Sequence, residues 1–340
     1  MRVNSQKNKV TVIAEIGVNH NGSLSTAKEL VRHCFDAGAD YAKFQTFEAT
    51  QLASKVAPVA RYQKSSFEGD RQVDLLSSLQ LSESDFEDLS AHCAGVGIGF
   101  LTTAHDANSA SFVFGLDLDF IKVASGDVTN YPFLTKVGQQ RANVLLSTGA
   151  SRAEEVLSAI KVLESSGLPR SKITVLQCTT EYPAPIEQAN LRAMVEMGKK
   201  WGVAVGYSDH TLGQDAAVAA VALGASVIEK HITLDKNMPG PDHAASLEPH
   251  EFERMVRSIR NVELAFGHNK KEVTSAETLN RHVVRKSIVA TSTIKKGEIF
   301  VEENLGVMRP GDGLSPMRLP DLIGQRAHKT YLPQQQIELP

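Results

Sequence analysis

The sequence predicts a (β/α)8 TIM barrel followed by a small β-rich domain, and three observations support this. Short apolar runs rich in β-branched residues alternate with amphipathic segments over about 235 residues. There are eight such runs, and near-continuous apolar strands between helices are typical of a parallel sheet that is buried on both faces. After Glu272 this alternation stops, and short β-like runs separated by Gly and Pro turns follow.

The eight apolar runs are the predicted barrel strands. They comprise residues 10–17, 41–47, 99–104, 120–125, 142–149, 173–180, 203–210 and 226–233. The predicted helices have apolar residues at helical spacing and cover 25–37, 84–95, 152–166, 191–201 and 214–223. A doubly wound open sheet is the alternative architecture. The barrel is favoured because no glycine-rich dinucleotide fingerprint follows the first strand.

The change of pattern near Glu272 predicts the domain boundaries. We expect a catalytic barrel over 1–275, a polar linker over 276–285 and the small domain over 286–340. A unit of about 55 residues has a thin core and usually depends on a partner surface for stability.

Composition excludes several classes of protein. The net charge is −3 and opposite charges are interspersed, so neither a nucleic acid nor a membrane surface is an expected partner. No apolar run approaches the roughly 20 residues of a membrane helix, and the polar N-terminus is not a signal peptide. Three scattered cysteines, Cys34, Cys93 and Cys178, suit a reducing compartment. We therefore expect a cytoplasmic protein.

Two histidines end neighbouring predicted strands. His210 and His231 each follow an apolar run, and each is flanked by an acid, Asp209 or Glu229. Active sites of barrels lie at the carboxyl ends of the strands, where such histidines can converge on a divalent metal. Either histidine alone is better explained as a strand-end residue with its hydrogen bonds satisfied. Their repetition in adjacent units favours a metal site.

Two lysines lie inside otherwise apolar strands. Lys43 and Lys122 need partners when buried, and these are either a substrate anion or an internal carboxylate. Hydroxyl side chains end other strands at Thr103, Ser125, Ser147 and Ser208. Cations together with hydroxyl donors predict a phosphate or carboxylate site. Nucleotide binding is not expected, because the chain has no P-loop.

Acidic residues complete the predicted chemistry. Glu15 and Glu229 are candidate proton carriers, and Asp242 is a candidate ligand for the metal or for a sugar hydroxyl. A divalent metal can polarise a carbonyl, which suits addition to an aldehyde. The rival hypotheses are a Schiff-base aldolase that uses Lys43, Lys122 or Lys230, and a non-catalytic carbohydrate-binding protein.

Several motifs together resemble the sialic acid (nonulosonate) synthases. They are AEIGVNHNGS (14–23), KFQTF (43–47), KVASGD (122–127), LSTGAS (146–151), CTTEYPAP (178–185), GYSDHTLG (206–213) and EKH…PGPDH (229–243). The segment KSIVATSTIKKGE…RPGDGLSP resembles that family's antifreeze-like (SAF) domain. The resemblance covers almost the entire chain, with the motifs in order.

The resemblance implies a metal-dependent condensation of phosphoenolpyruvate with an N-acetylated aminosugar, which gives a nine-carbon 2-keto acid and phosphate. It implies that His210 and His231 hold Mn2+, with Mg2+ or Co2+ as alternatives. It also implies that Glu15 orients or deprotonates the attacking water, or handles a related proton. The residues implied for phosphoenolpyruvate are Lys43, Thr103, Lys122, Ser125, Ser147 and Ser208. Those implied for the sugar are Gln45, Asp127, Thr180, Tyr182 and Asp242. It further implies a domain-swapped homodimer in which Arg309 reaches the partner's sugar site.

The segment CTTEYP bears on the choice of sugar. N-acetylneuraminate synthases, which use N-acetylmannosamine, often carry CTNxYP, whereas this chain has Thr180 and Glu181. The segment is closer to members that make N,N'-diacetyllegionaminate from a 2,4-diacetamido sugar. A lost or gained partner for a substrate hydroxyl strongly affects selection. The diacetamido sugar is therefore the favoured substrate.

Overall fold

The computed structural model describes residues 9–59, 69 and 71–339, and the chain divides into two compact units, 1–267 and 268–340. Residues 1–8, on which the prediction about a signal peptide rests, lie outside the described residues. Among the described helices, none has both the length and the apolar character needed to cross a bilayer. The predicted linker, 276–285, stays a prediction, and the chain there forms a helix over Ser275–Val284.

The first unit is a closed barrel of eight parallel strands in sequential order, as predicted. This arrangement excludes the open doubly wound sheet. The strands are β1 (Thr11–Gly17), β2 (Tyr41–Thr46), β3 (Gly99–Ala104), β4 (Phe120–Val123), β5 (Asn143–Ser147), β6 (Ile173–Cys178), β7 (Ala204–Asp209) and β8 (Val227–His231).

Helices follow the strands along the chain. They are α1 (Leu24–Asp36), α2 (Ala49–Leu52), α3 (Gln72–Leu79), α4 (Glu83–Val96), α5 (Ala107–Gly115), α6 (Tyr131–Gln140), α7 (Ala153–Ser165), α8 (Leu191–Trp201), α9 (Asp215–Ala222) and α10 (Pro249–Ala265). The prediction omitted α2, α3, α5, α6 and α10. The start signals of α5 and α10 are local: Asp106 caps α5 through Asn108 N and Ser109 N at 3.0 and 2.9 Å, and Pro249 opens α10.

Several predicted strands are too long at their carboxyl ends. The fourth ends at Val123 rather than Ser125, and the sixth ends at Cys178 rather than Thr180. After Val123 the chain makes a 3-10 turn over Ser125–Asp127, in which Asp127 N donates to Ala124 O at 3.0 Å. The polar residues that follow the strands therefore lie on turns at the barrel mouth.

The barrel interior is apolar on its floor and polar above it. Five buried residues form the floor, namely Ile13, Leu101, Leu145, Leu176 and Val227. Because side chains alternate along a strand, the residue two positions later points into the same interior. Those later residues are Glu15, Thr103, Ser147, Cys178 and Glu229, all of which line one cavity. The strand period therefore places the polar site directly above an apolar plug.

The second unit is small and β-rich, as expected from its turn-rich sequence. It begins with α11 (Ser275–Val284), and its sheet pairs β9 (Ser287–Ala290) with β10 (Leu305–Met308) in antiparallel fashion. A short helix, α12, covers Leu319–Leu322. The buried core consists of Ile288, Ala290, Ile294, Phe300, Leu305, Leu322, Ala327, Tyr331 and Ile337. The thin core agrees with the small size of the unit.

Candidate active site

A cavity of about 160 Å3 lies at the carboxyl ends of the barrel strands. It brings together thirteen of the sixteen predicted site residues: Glu15, Lys43, Gln45, Thr103, Lys122, Ser125, Ser147, Thr180, Tyr182, Ser208, His210, Glu229 and His231. All eight strands or the turns after them contribute. A wider open groove of about 660 Å3 beside it, along α7 and α8, shares Cys178 and Thr180 with this cavity.

The lysines are paired with internal carboxylates. Lys43 Nζ lies 2.7 Å from Glu15 Oε2 and 3.6 Å from Glu229 Oε2, and Lys122 Nζ donates to Glu229 Oε1 at 2.9 Å. All four side chains are buried. Glu229 therefore bridges both lysines, and the cluster contains two positive and two potentially negative groups.

The two carboxylates respond differently to this environment. Burial raises the pKa of Glu15, and the attraction of Lys43 only partly offsets it. Burial also opposes ionisation of Glu229, but Lys122 and Lys43 hold the pKa of this carboxyl well below its usual range. Glu229 is therefore the fixed anion, and Glu15 is the carboxylate that more readily takes a proton.

Hydroxyl groups surround the lysines. Thr103 Oγ1 accepts from Lys43 Nζ at 3.0 Å, and Ser208 Oγ donates to Glu229 Oε1 at 2.9 Å. Ser125 Oγ accepts from Gly149 N at 2.8 Å. Ser147 Oγ is enclosed and has no hydrogen-bond partner in the described part of the chain. A buried hydroxyl without a partner fits a position that a ligand would occupy.

The two histidines lie close together at the ends of the neighbouring strands β7 and β8. Their ring centroids are 5.5 Å apart, and both side chains are buried. Burial lowers the pKa of His210 to about 4, and it lowers the pKa of His231 well below 6.5. Both imidazoles are therefore neutral near pH 7, the form that binds metals.

The hydrogen bonds of the histidines are suited to metal binding. His210 Nδ1 lies 2.7 Å from Thr179 O, so this nitrogen carries the proton and Nε2 carries the lone pair. His231 Nδ1 is enclosed without a hydrogen-bond partner among the described residues. Within those residues, no three His, Cys, Asp or Glu side chains form a ligand group. The donor set fits a metal held by two imidazoles, with the other positions open to substrate and water.

Tyr182, Thr180 and Gln45, which the motif resemblance assigns to the sugar, all line the cavity. The Tyr182 ring packs on His210 with centroids 4.1 Å apart and meets His231 edge-on at 5.7 Å. Gln45 Nε2 donates to Glu15 Oε1 at 3.1 Å. Thr180 is exposed at the rim. These contacts place the Tyr182 ring over the histidine pair.

Three predicted residues do not line the cavity. Asp242 is buried behind it, with Oδ2 3.9 Å from His231 Nδ1, and burial raises its pKa to about 7. Asp127 lines a smaller neighbouring space of about 100 Å3 and accepts from Asn130 Nδ2 at 2.9 Å. Arg309 is exposed in the second unit, where its Nε donates to Val284 O at 3.2 Å.

His105 and Cys178 line the cavity but were not predicted. His105 Nε2 is enclosed without a partner in the described chain, and burial beside Lys43 and Lys122 lowers the pKa of this histidine to about 4. His105 is the first residue after β3, so the rule that strand ends carry the site would have found it. Cys178 is the last residue of β6 and resembled an ordinary apolar strand residue.

Lys230 does not line the cavity. It alternates with Glu229 and His231 on β8, so its side chain points away from the barrel interior. Its Nζ donates to Asp209 Oδ2 at 2.9 Å, and both side chains are fully buried. Lys43 is another lysine of the rival Schiff-base hypothesis. Burial opposes its charge, but Glu15 and Glu229 outweigh this effect and raise its pKa, so its amine stays protonated. These contacts disfavour an amine nucleophile.

Known protein families match both parts of the chain. A model described as the NeuB family matches residues 30–271, and one described as the SAF domain matches 285–331. The chain is 44% identical over 324 residues to the N,N'-diacetyllegionaminic acid synthase of Campylobacter jejuni. This alignment covers 95% of this chain and 97% of the relative. The chain is 40% identical to the protein of that name from Legionella pneumophila, over 93% of this chain and 89% of the relative.

A solved structure shares the architecture. The N-acetylneuraminic acid (sialic acid) synthetase of Leptospira borgpetersenii, in complex with citrate, matches with a TM-score of 0.71 and 28% identity, over 80% of this chain and 90% of that one. The family match spans most of the barrel, and the Campylobacter relative exceeds 30% identity over almost its full length. The resemblance found in the motifs is confirmed, and the chain belongs to the NeuB family.

Proposed function

We propose that the protein is an N,N'-diacetyllegionaminate synthase. It condenses phosphoenolpyruvate with a 2,4-diacetamido mannose-type sugar to a nine-carbon 2-keto acid and releases phosphate. The observation that carries the proposal is one cavity in which two buried lysines lie beside two neutral histidines. This arrangement combines an anion site with a site for a Lewis acid.

Phosphoenolpyruvate binds on the lysine side of the cavity. Lys43 and Lys122 neutralise its phosphate and carboxylate, while Thr103, Ser125 and Ser147 donate hydrogen bonds. Ser208 lines the same side, where its hydroxyl donates to Glu229. Glu229 neutralises both lysines and holds them in place when the ligand leaves, because its two oxygens contact both ammonium groups. We assign it the role of a fixed counter-ion rather than a proton carrier.

The reaction joins C3 of phosphoenolpyruvate to the aldehyde carbon of the sugar, while water adds to C2 and the C2–O bond to phosphate breaks. Glu15 takes the proton of the water, because burial favours its protonated form and Lys43 holds its oxygen at 2.7 Å. Tyr182 orients the sugar against His210. His210 and His231 would hold a divalent ion, for which we propose Mn2+ over Mg2+ or Co2+, and such an ion would polarise the aldehyde oxygen.

The choice of sugar rests on the relatives and on one loop. Two relatives, which are 44% and 40% identical to this chain, carry the name N,N'-diacetyllegionaminic acid synthase. Thr180 lies at the rim of the cavity, next to the Tyr182 ring. The alternative activity is that of an N-acetylneuraminate synthase using N-acetylmannosamine, and the Leptospira relative carries the name N-acetylneuraminic acid synthetase.

The test is a comparison of the two sugars. The purified protein with Mn2+ and phosphoenolpyruvate is given either sugar, and kcat/KM is measured from phosphate release with the keto acid identified by mass spectrometry. We expect the diacetamido sugar to be preferred at least about tenfold. Preference for N-acetylmannosamine would assign the alternative activity. Thr180→Asn should reduce the preference, and Thr135→Asn, on α6 outside the cavity, is the matched control.

We further propose a domain-swapped homodimer in the cytoplasm, in which Arg309 completes the partner's sugar site. Arg309 is exposed in its own chain, and the three cysteines are all free thiols, which suits a reducing compartment. The test mixes two inactive variants, Arg309→Ala and His231→Ala. Heterodimers should recover activity at the site that carries neither change. Mixtures that exchange subunits without recovering activity would refute completion in trans.

A further inference from the structure

A buried ion pair lies behind the two histidines. Asp209 and Lys230 are paired across β7 and β8, and each immediately precedes one of the histidines. Lys230 Nζ donates to Asp209 Oδ2 at 2.9 Å, and both side chains have 0% exposure. The pair therefore lies on the outer face of the two strands whose next residues, His210 and His231, point into the cavity.

The same two side chains fix the turn after His210. Asp209 Oδ1 accepts from both Thr211 N and Thr211 Oγ1 at 2.8 Å. Lys230 Nζ also donates to Thr211 O. His210 is thus held between two residues, Asp209 and Thr211, that are both tied to β8. Any slip of one strand end relative to the other would break these bonds.

Stability alone is a poor explanation for such a pair. Full burial removes water from both charges, and this cost offsets much of their attraction, so an apolar pair of similar size is often as stable. What an apolar pair lacks is direction, because hydrogen bonds to a named carbonyl and amide fix distance and orientation. The two histidine rings have centroids 5.5 Å apart. They must keep a fixed distance and orientation if both are to bind one cation.

We propose that Asp209 and Lys230 are positioning residues that hold His210 and His231 at the separation needed to bind a divalent cation. This inference rests on the proposed function, in which these histidines hold the metal. The pair acts through the backbone of the two strand ends and does not touch substrate. It should therefore control cation affinity while leaving the lysine side of the cavity unchanged.

The test is a cation titration of the metal-free, full-length protein without substrates. Isothermal titration calorimetry with Mn2+ should show about 10- to 100-fold weaker binding for Lys230→Met and Asp209→Asn. The affinity for phosphoenolpyruvate alone should stay within about twofold of the unmodified protein. Thr102→Val removes a buried hydroxyl contact of 2.7 Å with Thr46 behind β2 and β3, and as the matched control it should leave Mn2+ affinity unchanged.

Two further variants separate positioning from folding. The double variant Asp209→Asn/Lys230→Met removes both charges, so it should fold even where a single variant with one unpaired charge does not, yet its Mn2+ binding should remain weak. Thr211→Val keeps the ion pair and loses one hydrogen bond, with an expected loss of about 2- to 10-fold.

Three outcomes would overturn the inference. Variants that bind Mn2+ within twofold of the unmodified protein would show that the pair does not control the histidines. Parallel losses of Mn2+ and phosphoenolpyruvate affinity would show a merely structural role. If the unmodified protein binds no Mn2+, the histidines are not a metal site, and this part of the proposed function fails with the inference.

Discussion

Glu229 provides the sharpest test of the charge cluster. Glu229→Gln keeps the shape and the hydrogen bond to Ser208 but leaves Lys122, whose Nζ is 2.9 Å from the carboxylate, without its anion. At an effective dielectric constant of about 20, charges at this distance attract by about 6 kcal/mol. Relaxation reduces the cost, and breaking a buried pair typically destabilises a protein by about 3–5 kcal/mol.

The expected shift in melting temperature follows from the size of the barrel unit. An unfolding entropy of about 2.1 cal/mol/K per residue over 267 residues converts 4 kcal/mol to about 7 °C. Phosphoenolpyruvate restores negative charge beside Lys122, so it should raise the melting temperature of Glu229→Gln more than that of the unmodified protein. Differential scanning calorimetry with and without the ligand measures both effects.

The matched control applies the same substitution to an exposed pair. Glu164 Oε2 lies 2.6 Å from Arg170 Nη2, but the two side chains are 31% and 38% exposed. Glu164→Gln should cost at most about 1 kcal/mol, or about 2 °C. The reasoning is refuted if Glu229→Gln melts within about 2 °C of the unmodified protein, or if the ligand stabilises both proteins equally.

Three other perturbations test separate parts of the barrel. Burial lowers the pKa of His20 to about 4 from 6.5, so stability is lost as pH falls through this range, by up to about 3 kcal/mol. His20→Gln should flatten that dependence in denaturant titrations, and an unchanged slope would contradict it. Gly149→Ala puts a Cβ 2.0 Å from Thr180 Oγ1 and should lower kcat/KM at least about tenfold with unchanged circular dichroism, whereas normal kinetics would contradict the packing. Removal of metal with EDTA should abolish turnover until Mn2+ is added, and persistent turnover would contradict the proposed cofactor.

The barrel was predictable because its periodicity is unusually regular. Two of the predicted elements, the strand at 99–104 and the helix at 191–201, match the structure at both ends. Strand ends were less predictable, because Ser125 and Thr180 have side chains that suit both a strand and the turn after it. Helix α5 was missed because its start depends on the local cap at Asp106 rather than on a long apolar face.

The polar cluster was predictable in position but not in pairing. Strand parity places Lys43, Glu15 and Glu229 above the apolar floor. Whether a lysine meets a substrate anion or an internal carboxylate depends on which strands are neighbours across the barrel and on side-chain reach. Sequence spacing carries no information on either. Asp127 illustrates the limit, because the turn at Ser125–Asp127 directs it toward the neighbouring space lined by His105.

The internal pairing changes how an anion must bind. Without substrate, Glu229 and Glu15 already neutralise Lys43 and Lys122, so an arriving phosphate competes with carboxylates for the same ammonium groups. Protonation of one carboxylate relieves this repulsion at the lowest cost, and Glu15 is the one whose pKa is raised by burial. Glu229 is held ionised by two lysines and cannot easily take that proton. The division between a fixed anion and a proton carrier therefore follows from the bridging position of Glu229, and the proton that Glu15 takes from the attacking water relieves this repulsion during the reaction.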